Sequence, residues 1–246
     1  MSDLLEQTIS ITEGFPGPEI AASETENSTV LDASLKEVLR GDVDMLVNRH
    51  YLYLVRNETV VFYVGQSSQP INRLKEHLGL RRFEESNLGL LIFCNLPESL
   101  SWRMQLFTLL GCGDFLRIYL EDMYQRQLQI AQLKGKELPA NIIPPTDALE
   151  LYKLYSEHGT RQHIKLAKNI AEKALISHYK PCLNSSYNYS PAPLPPNIVH
   201  PARLQTVPYL HPLPHEFLQV LIHADNPIDQ ETFRSLIREA WEKERE

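Results

Sequence analysis

The chain has 246 residues, 43% of them hydrophobic, and a formal net charge of −7 at pH 7. This hydrophobic fraction supports a packed core and excludes global disorder, and the length fits one domain with extensions or two small domains. The longest nearly apolar run, at 88–94, is far shorter than the roughly 20 residues that a membrane-spanning helix needs. We therefore expect no membrane partner.

The N-terminus and the cysteines indicate a cytoplasmic protein. The first residues, MSDLLEQTISITEGF, place acids early and have no basic stretch before an apolar one, which argues against a secretory signal or a transit peptide. Three cysteines, Cys94, Cys112 and Cys182, form no CxxC pair. This spacing fits reduced thiols, without a disulfide framework or a zinc site.

Charge is distributed unevenly along the chain. Residues 1–46 hold ten acids and two bases, a net charge of −8, so the remaining 200 residues carry +1. Within them, residues 163–184 hold four lysines against one glutamate, a local excess of +3. Such an excess suits a surface that faces phosphates, although a solvated helix face is the alternative interpretation.

Hydrophobic periodicity and turn residues divide the chain into helices and strands. Runs rich in aromatic and β-branched residues predict strands, and apolar residues at i, i+3 and i+4 predict helices. In chain order, the expected elements are a short helix at 31–39, hairpin strands near 50–56 and 59–65 ended by Gly65, a helix at 70–80, a buried third strand at 88–95, helices within 99–134, and helices at 148–158, 160–179 and 230–243.

These elements predict an α/β (α+β) fold built on a small, three-stranded, mostly antiparallel sheet. The helices at 70–80 and 160–179 would flank the sheet, and inserted helices at about 99–158 would pack outside it. The expected segments are an acidic, flexible stretch at 1–46, a main domain at 47–186, a Pro-rich extended stretch at 187–215 and a helical segment at 216–246.

The hairpin carries two tyrosines, Tyr53 and Tyr63, on neighbouring strands whose geometry allows both phenols to point to one side of the sheet. Arg73 follows ten residues later, with His77 one helical turn further on the same face. Arginine suits bidentate recognition of phosphate. Taken singly, either tyrosine fits an ordinary strand position, and Arg73 fits a surface charge.

A distant stretch, AEKALISHYKPCLN at 171–184, supplies a carboxylate. Glu172 borders the apolar face that Leu175 and Ile176 form on the same helix. A carboxylate in that position needs a cation, and a divalent metal ion would satisfy it. A salt bridge to a lysine is the alternative for Glu172.

Taken in order, these residues resemble the GIY-YIG nucleases. The matching positions are Tyr51-Leu52-Tyr53, Tyr63-Val64-Gly65, Arg73, His77, Glu172, Pro181 and Asn184. The resemblance covers two blocks, about 51–78 and 165–184. Two features depart from the family: Tyr51 stands where the family has glycine, and 109 positions separate Tyr63 from Glu172, more than in compact members.

The resemblance implies a GIY-YIG-like fold and a metal-dependent endonuclease that hydrolyses phosphodiester bonds. It implies that Glu172 binds one Mg²⁺ or Mn²⁺, that Arg73 stabilises the transition state, and that Tyr53 or Tyr63, with Tyr53 preferred, accepts a proton from water. His77 would bind phosphate or relay a proton. The residues expected to contact nucleic acid are Lys75, Lys168, Lys173, Lys180 and Asn184. Asn184 would lock the glutamate helix or touch phosphate, and the alternative is an ordinary turn residue after Pro181.

Other functions remain open at this point. The same fold could bind nucleic acid without cutting it. The acidic N-terminus, the Pro-rich stretch and the apolar stripe of the last helix, formed by Phe233, Ile237 and Trp241, are compatible with a protein-interaction scaffold. The chain contains no zinc-finger or basic-zipper spacing, so we expect weakly specific or structure-directed cutting, or targeting by a protein partner. DNA is favoured over RNA as the substrate, and the sequence leaves the oligomeric state open.

Overall fold

A computed structural model describes residues 29–43, 50–78, 86–200, 215–224, 228–229, 231–233, 235–236 and 239. The strands are β1 (Thr29–Ser34), β2 (Tyr51–Arg56), β3 (Val61–Ser67) and β4 (Arg103–Thr108). The α-helices are α1 (Leu35–Arg40), α2 (Pro70–His77), α3 (Asn87–Cys94), α4 (Gly113–Leu133), α5 (Pro145–His158), α6 (Arg161–Tyr179) and α7 (His215–His223).

The four strands form one antiparallel sheet in the order β1–β4–β2–β3. Strand β2 is central, and its sequence, YLYLVR, is apolar at nearly every position because both of its faces are covered. Side chains alternate between the two faces of a strand. Tyr51 and Tyr53 therefore enter one core, whereas Leu52 and Leu54 enter the other.

Helices cover both faces of the sheet. Helices α1, α2, α3 and α7 contribute to the core that contains Tyr53, and α4, α5 and α6 contribute to the core that contains Leu52. This arrangement makes β3 an edge strand, with α2 following it directly and α6 packed against it. Residues 182–184 hydrogen-bond to the outer side of β3. Among the described helices, none combines the length and the apolarity needed to cross a membrane.

The prediction of a mixed α/β fold with an antiparallel sheet is confirmed, but the expected strand at 88–95 is wrong. These residues form α3, in which Leu88, Leu91 and Ile92 are buried at helical spacing. The hydroxyl of Ser86 caps the helix by accepting a hydrogen bond from the Gly89 N–H. A short, continuously apolar run fits a buried strand and a buried helix equally well, so its periodicity did not separate them.

The sheet has four strands rather than three. Strand β4 lies inside the segment that was expected to be entirely helical, and its alternation of Met104 and Leu106 with polar Arg103 and Gln105 is the signature of a strand. Strand β1 and helix α1 occupy positions where a single helix at 31–39 was expected. Both lie within the acidic segment at 1–46. Strand β1 pairs with β4, and both elements contribute to the core.

Other expected elements agree within a few residues. The hairpin is present, although β3 continues past Gly65 to Ser67, and α2, α5 and α6 occupy the places of the helices expected at 70–80, 148–158 and 160–179. Of the helix expected at 230–243, residues 231–233, 235–236 and 239 are helical. Ile237 and Trp241, assigned to its apolar stripe, lie outside the described residues.

Gly89 permits a close approach between α3 and the end of α2. A Cβ atom at this position would overlap the backbone carbonyl group of His77 and would contact the amide nitrogen of Leu78 at 3.5 Å. A backbone carbonyl cannot rotate away as a flexible side chain can. The absence of a side chain at Gly89 therefore allows α3 to pack directly behind His77.

We predict that Gly89→Ala destabilises the protein by about 1–3 kcal/mol or more, because the added methyl group pushes α3 away from α2. The measurement is the free energy of unfolding in urea. The matched control is Asn87→Ala in the same helix, where the side chain is exposed and the effect should be small. Equal stability of the two variants would contradict the packing at Gly89.

Candidate active site

Two tyrosine rings meet on one face of the sheet. Tyr53 in β2 and Tyr63 in β3 have ring centroids 6.0 Å apart; Tyr53 is fully buried and Tyr63 is half-buried. Gly65 pairs with Tyr53 across the strands. A Cβ at Gly65 would lie 2.7 Å from the Tyr53 hydroxyl oxygen and 2.8 Å from Cε1 of Tyr63. Gly65 therefore leaves the space that both rings occupy.

A hydrogen-bonded chain leads from Tyr53 to the start of α3. The Tyr53 hydroxyl lies 2.9 Å from Nε2 of His77, and Nδ1 of His77 lies 2.6 Å from the hydroxyl oxygen of Ser86. His77 is the last residue of α2, and Ser86 is the N-cap of α3. Both ring nitrogens of His77 are thus occupied, which fixes the orientation of the imidazole.

Arg73 lies one turn before His77 in α2, with its guanidinium partly exposed. Its Nη1 atom donates to Oε2 of Glu76 at 2.9 Å. Burial raises the pKa of Tyr53, and the positive charge of the nearby Arg73 opposes this rise. The arginine is therefore oriented beside the tyrosine pair, and part of its donor surface faces solvent.

Glu172 reaches the site from α6, on the far side of β3. Its Oε2 atom accepts a hydrogen bond of 2.9 Å from Nε2 of Gln66, which also donates to Oδ1 of Asn169 at 2.9 Å. Within the described residues Glu172 forms no ion pair, so the expected alternative of a salt bridge to a lysine is absent there. A neutral amide, rather than a lysine, orients this carboxylate.

Sequence patterns alone did not indicate that Gln66 and Asn169 would contact the Glu172 side, or that Ser86 would contact His77. Periodicity contains a signal for two of them: Asn169 lies three residues before Glu172 on one helical face, and Gln66 lies two residues after Val64 on one strand face. Ser86 shows no signal because the following apolar run predicts a strand, and only a helix has an N-cap.

Burial dominates the titration of the two tyrosines. Burial raises the pKa of Tyr53 well above its usual value, and the negative charge that Tyr63 carries when ionised adds to this rise. Burial and then the negative charge of Glu172 raise the pKa of Tyr63, whereas Arg73 lowers both pKa values. Both phenols are therefore protonated at neutral pH and act as hydrogen-bond donors.

Burial also controls the charges of Glu172 and His77. It raises the pKa of Glu172, opposed by the hydrogen bond from Gln66 and by the charges of Lys168 and Lys173. Burial, assisted by the positive charge of Arg73, lowers the pKa of His77 to about 4. His77 is therefore a neutral imidazole at pH 7, able to donate at one nitrogen and accept at the other.

The donors at Glu172 suit one class of metal ion. In the described ranges, no three His, Cys, Asp or Glu side chains come together as a metal cage. Mg²⁺ keeps several waters and is often held by one or two carboxylates together with substrate phosphates. Glu172, with one oxygen held by Gln66, fits that mode of binding.

The candidate nucleic-acid contacts separate into different places. Lys168 lies one turn before Glu172, and Lys173 follows Glu172 directly. Burial lowers the pKa of each lysine, and the negative charge of Glu172 opposes this. Lys75 is partly exposed on α2, beside the arginine helix. Lys180 lies past the end of α6, about 12 Å along the helix axis from Glu172.

Asn184 lies against β3. Its side-chain oxygen accepts from the Val64 N–H, and its side-chain nitrogen donates to the Val64 carbonyl, both at 2.9 Å. The described geometry therefore places its whole amide on the backbone of the strand that carries Tyr63. This contact joins the turn after α6 to β3, the strand that carries Tyr63.

Comparison with known proteins identifies no relative: no family model, no curated protein and no solved structure matches this chain.

We predict that the depressed pKa of His77 makes the protein acid-sensitive. The folded pKa of about 4 lies below the ordinary value of 6.5, so the unfolded state binds the proton first and stability falls as pH decreases from 6.5 towards 4. Between about pH 7 and pH 4.5, the wild type should lose roughly 2–3 kcal/mol more unfolding free energy than His77→Gln, which has no group to titrate. Urea unfolding at both pH values measures this difference, and parallel losses would refute it.

Proposed function

We propose that this chain is a metal-dependent endonuclease that hydrolyses nucleic-acid phosphodiester bonds, with DNA favoured over RNA. The observation that carries the proposal is the meeting of two distant stretches at β3. Tyr53, Tyr63, Arg73 and His77 lie on one side of this edge strand, and Glu172 approaches it from α6 through Gln66. The charge of Glu172 acts on both phenols, so the two groups share one electrostatic environment.

Arg73 supports phosphate binding. Its partly exposed guanidinium lies beside the tyrosines and is oriented by Glu76. As negative charge builds up on the phosphate in the transition state, this preorganised donor stabilises it without having to reorient.

The tyrosines and His77 offer a path for the proton of the attacking water. Tyr63 is less buried than Tyr53, so burial favours Tyr63 as the group that meets water. In the proposed path, the water passes its proton to the Tyr63 oxygen while Tyr63 passes its own proton to Tyr53, whose ring lies beside it. Tyr53 in turn passes a proton to Nε2 of neutral His77. No free phenolate is needed at neutral pH.

Glu172 would hold the metal ion, with Gln66 fixing the carboxylate and Asn169 fixing Gln66. When bound, a divalent ion would polarise the phosphate and stabilise the leaving oxygen. Since burial raises the pKa of Glu172, the carboxylate keeps its negative charge only above a higher pH than an exposed glutamate does.

The raised pKa values of both tyrosines favour a second candidate function, a nucleic-acid-binding module that does not cut. Protonated phenols are good donors to phosphate oxygens and poor bases. This module would bind nucleic acid with the same residues and with a steep dependence on salt, because phosphate contacts release counterions.

We predict that the full-length protein nicks labelled DNA in the presence of Mg²⁺ or Mn²⁺, and that Glu172→Gln abolishes this activity while leaving the fold intact. The loss follows from removing the only charge proposed to hold the metal ion. Glu150→Gln, at an exposed position on α5, is the matched control and should cleave like the wild type. Binding of DNA by a folded wild type that cuts neither DNA nor RNA would favour the binding module instead.

We also predict that Tyr63→Phe and His77→Gln each lower the single-turnover cleavage rate by about 10²–10⁴-fold, the usual contribution of a positioned proton-transfer group. Tyr124→Phe in α4 removes a phenol hydroxyl elsewhere and should retain the wild-type rate. Full activity of Tyr63→Phe would rule out the proton path through this residue.

A further inference from the structure

Two tyrosines in the loop after α6, Tyr187 and Tyr189, are exposed to solvent. Tyr187 is 49% exposed and Tyr189 is 77% exposed. A tyrosine carries a large apolar ring that is normally packed, with its hydroxyl reaching water. Two such rings exposed two residues apart on one loop offer apolar surface to a binding partner.

Several hydrogen bonds anchor the loop that carries them, among them one of 2.8 Å from the Ala192 N–H to the Lys180 carbonyl. Asn184 is joined to the Val64 backbone by two hydrogen bonds, and Asn188, between the two tyrosines, donates to the Pro181 carbonyl at 2.6 Å. Tyr187 has φ of 62°, a left-handed backbone conformation that is uncommon for residues with bulky side chains. The rings are therefore displayed by a fixed backbone.

A cation lies against the first ring. The ammonium group of Lys173 is 4.3 Å from the ring centroid of Tyr187, and Lys173 itself is only 7% exposed. Tyr119 of α4 lies close to both loop tyrosines. Lys173 follows Glu172 directly in α6, so the ring that Lys173 contacts lies near the helical turn that carries the carboxylate proposed to bind the metal ion.

We propose that Tyr187 and Tyr189 form a stacking platform for unpaired nucleobases of the substrate. The proposal rests on the proposed function and defines its substrate class: nucleic acid with a single-stranded segment next to the cleaved bond. Aromatic side chains stack on any base, because every base has a π face. Bases inside a duplex are already stacked on each other, so only unpaired bases can use the platform. The anchoring of the loop means that little ordering is needed when a base binds.

The test is the dissociation constant of the full-length protein for a short, fluorescein-labelled, single-stranded oligodeoxynucleotide, measured by fluorescence anisotropy without divalent metal. We expect Tyr189→Leu to weaken binding by roughly five- to 150-fold, the range for loss of one stacked base, and Tyr189→Phe to bind like the wild type. Tyr124→Leu controls for the loss of a tyrosine elsewhere and should bind like the wild type. Tyr189 is so exposed that neither substitution disturbs the core.

Wild-type affinity of Tyr189→Leu would overturn the platform, as would equal losses in the Leu and Phe variants or tighter binding of a blunt duplex with the same sequence. The cleavage assay separates this proposal from the nuclease. Ring-dependent binding without metal-dependent cleavage would support the platform and remove the nuclease. Metal-dependent cleavage with ring-independent binding would support the nuclease and overturn the platform.

Discussion

The pairing of β2 with β3 is the contact on which the rest of the site depends. Across this pair, Gly65 lies opposite Tyr53, and the missing side chain leaves room for the rings of Tyr53 and Tyr63 on one face of the sheet. A shift of one residue in this register would turn one strand over relative to the other, because side chains alternate between faces. The tyrosine pair, its histidine and its arginine would then lose their common surface.

Two cores hold this register from opposite sides. On the tyrosine side, α2 supplies Arg73 and His77, and the close approach at Gly89 holds α3 behind them. On the other side, α6 packs on the sheet and carries Glu172 to the edge strand. The site therefore forms where the two layers meet at β3. The long insertion between the two sequence blocks supplies β4, which pairs with β2, and the helices α4 and α5, which pack against α6.

Burial serves structure and chemistry at once in this region. It keeps His77 neutral and both phenols protonated, so that a hydrogen-bonded path can exist without fixed charge. It also makes Glu172 a carboxylate whose negative charge is poorly solvated. A half-buried carboxylate without an ion-pair partner among the described residues is a favourable place for a cation.

The sequence by itself determined the hairpin, the arginine helix and the glutamate helix, because their signals are local: aromatic strand residues, a proline in a first turn, and apolar residues at helical spacing. Only the tertiary structure decided that 88–95 is a helix and that β4 and β1 complete the sheet. A short apolar segment takes the conformation that its neighbours cover, and strand pairing between residues some 70 positions apart leaves no local pattern. The roles of Gln66, Ser86 and Tyr187 likewise became visible only in the structure, because each depends on a contact with a residue in another element.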